Sequence, residues 1–233
     1  MNPLRKLFQK TGFDLHRYHP PVNRGKIWRN LDITTVLDIG ANTGQFASSI
    51  RQALPEAQIY SFEPLKSCFE ALVASRKEDG KFQAFNMALG EVSTETEMNK
   101  SDYSPSSSLL QMSDIHKDLF PHTKEHVKEK VRIETLDEVA SKLDLQKEIL
   151  IKVDVQGFED KVLAGGKQTF SLARAVIMEV SFVKLYEGQP TFDKLYSSLR
   201  GLGFKYCGSL EQKNDKHSGA IISEDSLFVR DNF

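Results

Sequence analysis

Short apolar runs, separated by amphipathic stretches, recur along most of the chain. The runs rich in β-branched and aromatic residues predict strands, at 33–39, 58–62, 82–86, 131–134, 148–153, 173–180, 204–208 and 227–230. Apolar positions at helical spacing predict helices, at about 43–53, 65–76, 136–143, 158–164 and 191–203. Because strands and helices alternate, we expect an α/β protein whose mostly parallel sheet is covered by helices on both faces.

Two segments lack this alternation. Residues 1–30 carry a few apolar residues at helical spacing, followed by a Pro-Pro pair that stops a helix. We predict an N-terminal arm over 1–30 whose apolar stripe packs on the main domain, with contact to a membrane surface as the alternative. Residues 31–233 are expected to form a single domain with an insertion at about 91–130, which consists of a small hairpin over 91–99 and a lid loop.

The composition narrows the class of partner. A chain of 233 residues, 39% of them hydrophobic, is long enough to bury a substantial core. The formal net charge of -1 provides no long-range field for nucleic acid, so we expect a small-molecule or glycan partner. Cys68 and Cys207 lack the spacing of a zinc site or a disulfide framework.

No apolar run has the length of a signal peptide or a membrane span. The sequence therefore predicts a cytoplasmic protein without integral membrane association, and a homo-oligomer is compatible with it. His122, Glu125 and His126 match the H-x-x-E-H pattern of one group of zinc proteases. Because the pattern lies in a polar, lysine-rich stretch, we interpret it as a match between solvated residues and predict no metal.

The strongest functional signal is the turn after the first predicted strand, within residues 36–46. Gly40 permits a close backbone approach, and Gly44 is expected to let the next helix pack against the strand, with free helix amides facing a ligand. Glu63 ends the next strand, 63 − 38 = 25 positions after Asp38. A carboxylate near this offset binds ribose hydroxyl groups in dinucleotide sites, although a glutamate that only caps the next helix would also fit.

Two nucleotide sites match this turn poorly. A Walker phosphate loop ends in Gly-Lys-Ser/Thr, whereas this turn continues as Gly44, Gln45 and Phe46. A dinucleotide fold needs a further glycine between the other two, and residues 40–44 read Gly-Ala-Asn-Thr-Gly. Asp38 and Glu63 on two sides of a crevice suit a ligand that has both an ammonium group and a ribose. S-adenosylmethionine has both.

Several segments, in the same order, resemble the FkbM-type family of class I S-adenosylmethionine-dependent methyltransferases. They are VLDIGANTGQF at 36–46, FEP at 62–64, NMALG at 86–90, SSL at 107–109, TLDE at 135–138, IKVDVQGFE at 151–159 and VLAG at 162–165. The resemblance implies a Rossmann-like, doubly wound, mostly parallel seven-stranded sheet. It also implies O-methylation of a hydroxyl on a sugar, a polysaccharide or a small natural product.

The resemblance implies roles for individual residues toward the cofactor S-adenosylmethionine. The methionine part would lie along Asp38, Gly40, Ala41, Asn42, Thr43, Gly44, Gln45 and Phe46. Glu63, followed by Pro64, would bind the ribose, and the adenine would lie along Met87, Ala88 and Leu89. Asp154 would lie nearest the reacting centre.

A hydroxyl acceptor must lose a proton during methylation, and a carboxylate within hydrogen-bond reach can remove it. We expect Asp154 to be this base, with Glu179 orienting it or the acceptor. A role for Asp154 in binding the cofactor alone is an equal alternative. Ser107 and Ser108, in the predicted lid loop, are candidate contacts of the acceptor.

Two functions outside this class stay open from the sequence. One is an NAD-dependent oxidoreductase of the Rossmann type, and the other is a non-catalytic nucleotide-binding protein on the same fold. The missing middle glycine weighs against the first. The joint presence of Asp38, Gly40, Gly44, Glu63 and Asp154 weighs against the second.

Overall fold

The computed structural model describes residue 11 and residues 25–101, 107–119 and 126–230. Most of the predicted N-terminal arm, part of the predicted lid loop and most of the H-x-x-E-H pattern lie outside these described residues. No helix in the described part of the chain combines the length and the apolar character needed to cross a membrane.

The described residues form ten strands and eight helices. The strands are β1 (Thr35–Ile39), β2 (Gln58–Phe62), β3 (Phe82–Phe85), β4 (Ala88–Gly90), β5 (Thr94–Ser101), β6 (His126–Thr135), β7 (Ile149–Val153), β8 (Ala173–Ser181), β9 (Phe204–Asn214) and β10 (Ile221–Arg230). The helices are α1 (Gly25–Asn30), α2 (Gln45–Ala53), α3 (Lys66–Arg76), α4 (Asp114–Leu119), α5 (Leu136–Ala140), α6 (Glu159–Gly165), α7 (Lys167–Leu172) and α8 (Phe192–Gly201).

Seven strands form the main sheet, in the order β3-β2-β1-β7-β8-β10-β9. β10 runs antiparallel to both of its neighbours, while β3, β2, β1, β7 and β8 pair in parallel. This confirms the predicted Rossmann-like, doubly wound, mostly parallel seven-stranded sheet. The strand order changes direction at β1, which lies between β2 and β7. At such a point a crevice forms beyond the carboxyl ends of the strands, where α/β proteins bind ligands.

Helices cover both faces of the main sheet. Successive residues of a strand point to opposite faces, so neighbouring residues belong to different cores. Leu37 of β1 belongs to a core that includes Val162 of α6 and Leu199 of α8. The neighbouring Val36 belongs to a second core that includes Ile50 of α2. This two-sided packing explains why the strand runs are so apolar.

The chain between β3 and α5 contributes to a second sheet, in the order β4-β6-β5, which the sequence did not predict. The predicted hairpin over 91–99 is wrong, because β5 pairs antiparallel with the distant β6 and does not fold back on itself. The polar and mostly exposed residues of β5 hide its strand character. Gly165 of α6 lets this sheet approach the main domain, since a Cβ there would lie 1.9 Å from the Gly90 carbonyl oxygen.

Residues 107–119, the middle described part of the predicted lid loop, are held by backbone hydrogen bonds on two sides, while the described ends of that loop belong to β5 and β6. Asn99 and Ser108 exchange N–H···O bonds of 2.9 and 3.1 Å. The Ser113 amide donates to the Leu185 carbonyl at 2.9 Å. The segment is therefore more ordered than predicted, because its partners lie far away in sequence and leave no local pattern.

The other differences concern the ends of elements. The predicted helix over 158–164 is α6, and a further helix, α7, follows it without having been predicted. β9 and β10 are 11 and 10 residues long, well beyond the short strands expected. Each stabilises the other through antiparallel pairing along most of its length, and together they form the β9–β10 hairpin.

Candidate active site

A cavity of about 490 Å³ opens at the carboxyl ends of β1, β2 and β7. The predicted site residues that line it are Gly40, Ala41, Asn42, Gln45, Phe46, Glu63, Pro64, Met87, Ala88, Leu89, Ser107, Asp154 and Glu179. Asp38, Thr43, Gly44 and Ser108 do not line it. The structure thus brings together most of the residues that the sequence grouped, although they come from six separate segments.

The turn after β1 is shaped by the protein's own hydrogen bonds. Every amide of residues 40–44 donates to an acceptor within the protein. The acceptors are the Phe62 carbonyl, a Glu63 carboxylate oxygen, the Asn42 side chain and the Ala41 carbonyl. The amides of residues 40–44 are therefore engaged within the protein, and the turn acts as a wall of defined shape.

Two glycines with positive φ allow this turn. Gly40 has a φ of +83°, and a Cβ there would lie 1.9 Å from the Asp154 carbonyl oxygen. Gly44 has a φ of +93°, and its Cβ would lie 2.7 Å from Cδ1 of Leu72 in α3. The expectation that Gly44 serves helix-to-strand packing is corrected, because the side chain that it accommodates comes from another helix.

Glu63 is buried at the end of β2, at 5% exposure. Its Oε2 accepts a hydrogen bond of 2.8 Å from the Asn42 amide, and its Oε1 accepts one of 2.8 Å from the Leu65 amide. Burial raises the pKa of Glu63 to about 7, although these two hydrogen bonds oppose the rise. Each carboxylate oxygen has a second lone pair, so Glu63 can hold the turn and still accept from a ligand.

Asp38 lies behind the cavity wall and is fully buried. Its Oδ2 accepts a hydrogen bond of 3.3 Å from the Ser61 hydroxyl, while its Oδ1 has no partner among the described residues. Burial raises the pKa of Asp38 to about 6, against the opposing charge of Lys152. The predicted contact with the cofactor is therefore not direct in this geometry, and Asp38 supports the wall from behind.

The raised pKa of Asp38 makes stability depend on pH. A carboxyl whose folded pKa is raised stabilises the fold fully below its unfolded pKa, and this contribution is lost as the pH rises through about 6. Asp38→Asn removes the titration, so its free energy of unfolding should rise relative to that of the wild-type protein by about 2 kcal/mol between about pH 4 and about pH 8. Urea unfolding measures this difference. Asp193→Asn is the control for the loss of an exposed carboxylate. A difference that does not change with pH in Asp38→Asn would contradict the expectation.

Asp154 follows β7, and both of its carboxylate oxygens accept hydrogen bonds. The Lys152 ammonium donates to Oδ2 at 3.0 Å, and the Gln156 amide nitrogen donates to Oδ1 at 2.7 Å. Burial alone would raise the pKa of Asp154, but the charges of Lys152 and Lys213 outweigh it and hold this pKa well below its usual range. Asp154 is therefore ionised and accepts protons only weakly.

Gln156 joins Asp154 to its neighbours and has a φ of +55°, which non-glycine residues adopt rarely. Its amide nitrogen also donates to Glu179 Oε2, and its amide oxygen accepts from the Tyr186 hydroxyl at 2.9 Å. Lys213 of the β9–β10 hairpin donates to the other Glu179 oxygen at 2.8 Å. Burial and the nearby charge of Asp154 raise the pKa of Glu179 well above its usual range.

The two predicted acceptor contacts are buried and bonded within the protein. The Ser107 hydroxyl accepts from the Ser101 amide at 3.0 Å. The Ser108 hydroxyl donates to the Gln156 carbonyl at 2.6 Å and accepts from the Leu110 amide at 3.0 Å. Ser108 therefore helps to hold the backbone of Gln156.

Sequence analysis assigned no role to four residues of this network, namely Lys152, Gln156, Tyr186 and Lys213, although the first two lie in the quoted segment 151–159. Lys152 carried a detectable signal, because a lysine within an apolar strand run needs a buried partner. Tyr186 and Lys213 carried none, since only the folded chain brings them close to Gln156 and Glu179. Among the described residues, no group of three or more His, Cys, Asp and Glu side chains is arranged to hold a metal ion.

The sequence is similar to a known protein family and to a curated protein. The sequence model described as the methyltransferase FkbM domain matches residues 38–206. A curated relative, the 2-O-methyltransferase NoeI of Sinorhizobium fredii, is 31% identical over 165 residues, which are 66% of this chain and 66% of that protein.

Solved structures are similar to this chain at low sequence identity. The methyltransferase domain of a bacterial CtHen1 is 11% identical, with a TM-score of 0.47, over 88% of this chain and 94% of that chain. Fibrillarin of Aeropyrum pernix, solved with bound S-adenosyl-L-methionine, is 11% identical, with a TM-score of 0.45, over 84% of this chain and 66% of that chain.

Proposed function

Because the chain belongs to the FkbM methyltransferase family, we propose that it transfers a methyl group from S-adenosylmethionine to a hydroxyl group of a saccharide or a similar hydroxylated small molecule. The observation that carries this proposal is one cavity lined by both the buried Glu63 and the ionised Asp154. The curated relative is named for 2-O-methylation, which supports oxygen as the methylated atom.

The donor set of the cavity fits S-adenosylmethionine. Glu63 has carboxylate lone pairs free for ribose hydroxyl groups, and Met87 and Leu89 supply an apolar wall for a flat base. Asn42 and Gln45 line the side of the cavity beside the turn, where the methionine part would lie. When bound, the cofactor supplies a methyl group on a sulfonium whose leaving group is already good.

Asp154 suits the binding of a cation better than the removal of a proton. A base works best when its pKa lies near the working pH, and the pKa of Asp154 lies well below its usual range. Lys152 and Gln156 already donate to its two oxygens and fix its orientation. We assign Asp154 to the ammonium group of the cofactor, which is the second of its two sequence-based roles, and Glu179 to positioning.

Binding and transfer measurements test the proposed function. Thermal unfolding with S-adenosylmethionine, S-adenosylhomocysteine and NAD in parallel should show stabilisation by the first two. Transfer of labelled methyl groups to p-nitrophenyl glycosides of hexoses, deoxyhexoses, pentoses and amino sugars should label at least one class. Protection by NAD alone, or labelling of no saccharide by protein that binds S-adenosylmethionine, would contradict the proposal.

Glu63→Gln tests whether Glu63 itself binds the cofactor. A glutamine has one acceptor oxygen in place of two, so cofactor affinity should fall by about 10- to 100-fold. Isothermal titration calorimetry measures the affinity, and the unfolding midpoint of the variant shows whether the turn still folds. The matched control is Glu78→Gln, because the Glu78 side chain is exposed and far along the chain from the turn. Equal affinity in the two variants would remove Glu63 from the site.

A further inference from the structure

One wall of the cavity lies beyond the residues that match the family. The β9–β10 hairpin contributes Glu211, Lys213, Ser223, Glu224 and Asp225, all of which follow residue 206. The wall is adjacent to Glu179 of β8, on the side of Asp154 away from β1. Its residues are therefore placed to contact a second molecule beside the cofactor.

The strand register places three carboxylates side by side on this wall. Asp225 of β10 lies opposite Glu179 of β8 and, on the other side, opposite Glu211 of β9. Side chains of directly opposite residues share one face of the sheet and lie close together. Two lysines reduce the repulsion, because Lys213 pairs with Glu179 and Lys152 pairs with Asp154.

Asp225 differs from the other carboxylates in its bonding. Asp154 and Glu179 each accept hydrogen bonds on both oxygens. Glu224 accepts from the Tyr206 and Ser226 hydroxyls. Half-buried Asp225 accepts no hydrogen bond from any described residue, although it lines the cavity.

The charges around Asp225 favour proton uptake. Burial, followed by the charge of Asp154, raises the pKa of Asp225 above its usual range, while Lys152 and Lys213 oppose the rise. A carboxylate of raised pKa is a better base near neutral pH than the strongly ionised Asp154. The titratable and charged groups around Asp225 come from three neighbouring segments. They are Lys152 of β7 and Asp154 just after it, Glu179 of β8, and Glu211 and Lys213 of β9.

We propose that Asp225 binds the acceptor hydroxyl and takes its proton as the methyl group is transferred. The O–H proton passes to a carboxylate oxygen of Asp225, and the oxygen electron pair forms the new bond to the methyl carbon. The carbon–sulfur bond breaks and its electrons remain on sulfur, so charge balances without a metal or a redox partner. This role rests on the proposed function, since it presupposes a hydroxyl acceptor.

Asp225→Asn tests the role. It should lower kcat by about 100-fold or more toward whichever glycoside the wild-type protein methylates, while affinity for S-adenosylhomocysteine stays the same. The wild-type rate should rise with pH up to a plateau, and Asp225→Asn should lose this rise. Asp225→Glu, which keeps a carboxylate, should recover part of the rate. Exposed Asp193→Asn is the control for the loss of a carboxylate as such.

A second readout is independent of turnover. Nuclear magnetic resonance of protein labelled at the aspartate carboxyl carbons, assigned by the signal missing from Asp225→Asn, should show Asp225 titrating above the ordinary value of about 3.9. An ordinary pKa would overturn the inference, as would an unchanged kcat with a raised KM only. An active Asp225→Asn variant overturns this inference alone, whereas a wild-type protein that methylates no saccharide overturns the proposed function as well.

Discussion

Lys152→Met should lower the free energy of unfolding by about 3–5 kcal/mol, because it leaves buried carboxylates without their cation. The Lys152 side chain is only 10% exposed, and its ammonium lies 3.0 Å from Asp154 Oδ2 and 5.5 Å from the centre of the Phe46 ring. It also lies opposite Asp38 in the strand register, and its charge opposes the rise in the Asp38 pKa. Methionine keeps the length of the side chain and removes the charge.

Urea unfolding followed by circular dichroism measures this loss. The matched control is Lys161→Met, because Lys161 forms an ion pair of 2.8 Å with Glu91 in which both side chains are substantially exposed. Exposed pairs contribute little, so the control should change stability only slightly. A loss in Lys152→Met as small as that of the control would show that the buried carboxylates do not depend on this lysine.

Gly40→Ala should reduce the rate of methyl transfer by about 100-fold or more and weaken cofactor binding with it. The added Cβ would lie 1.9 Å from the Asp154 carbonyl oxygen, and φ at this position is +83°. The turn and the residue after β7 must therefore move apart, and displacements of about 1 Å in a reacting site can cost about this factor. The strained backbone adds a stability loss of about 1–3 kcal/mol.

Calorimetry with S-adenosylhomocysteine, methyl transfer and urea unfolding together measure these effects. Gly80→Ala is the matched control, because a Cβ at Gly80 meets no atom within 4 Å and its φ is not positive. It should behave like the wild-type protein in all three measurements. If Gly40→Ala bound the cofactor with normal affinity, the close contact between the turn and Asp154 would not shape the cofactor site.

Apolar runs and their helical partners were sufficient to predict a mostly parallel sheet with helices on both faces. β1, β2, β7 and β8 are buried on both faces, so their sequence is apolar without regard to which residues they meet. The second sheet could not be predicted in the same way. β5 is polar and largely exposed, and its stability depends on pairing with β6. β5 ends at residue 101 and β6 begins at residue 126, so no local pattern links the two strands.

The candidate site likewise contains some features that local patterns predict and others that depend on residues distant in sequence. Gly40 and Glu63 were identified from spacing, because a turn after a buried strand and an acid at the end of the next one are local patterns. The ionisation of Asp154 could not be predicted from a local pattern, since its pKa depends on Lys152, Gln156 and Lys213. Sequence reasoning therefore left its two roles equal, and the surrounding charges are the basis on which we propose the binding role.

The sequence by itself determined the class of fold through local periodicity, the family through an ordered series of short motifs, and the place of the candidate cavity through glycine and acid positions that lie close along the chain. Only the tertiary structure decided how the carboxylates of the candidate site differ. Asp154, Glu179 and Asp225 come from three strands or strand ends, and their protonation depends on burial and on lysines brought near by folding. Charge interactions act through space, so the order of residues along the chain does not reveal them.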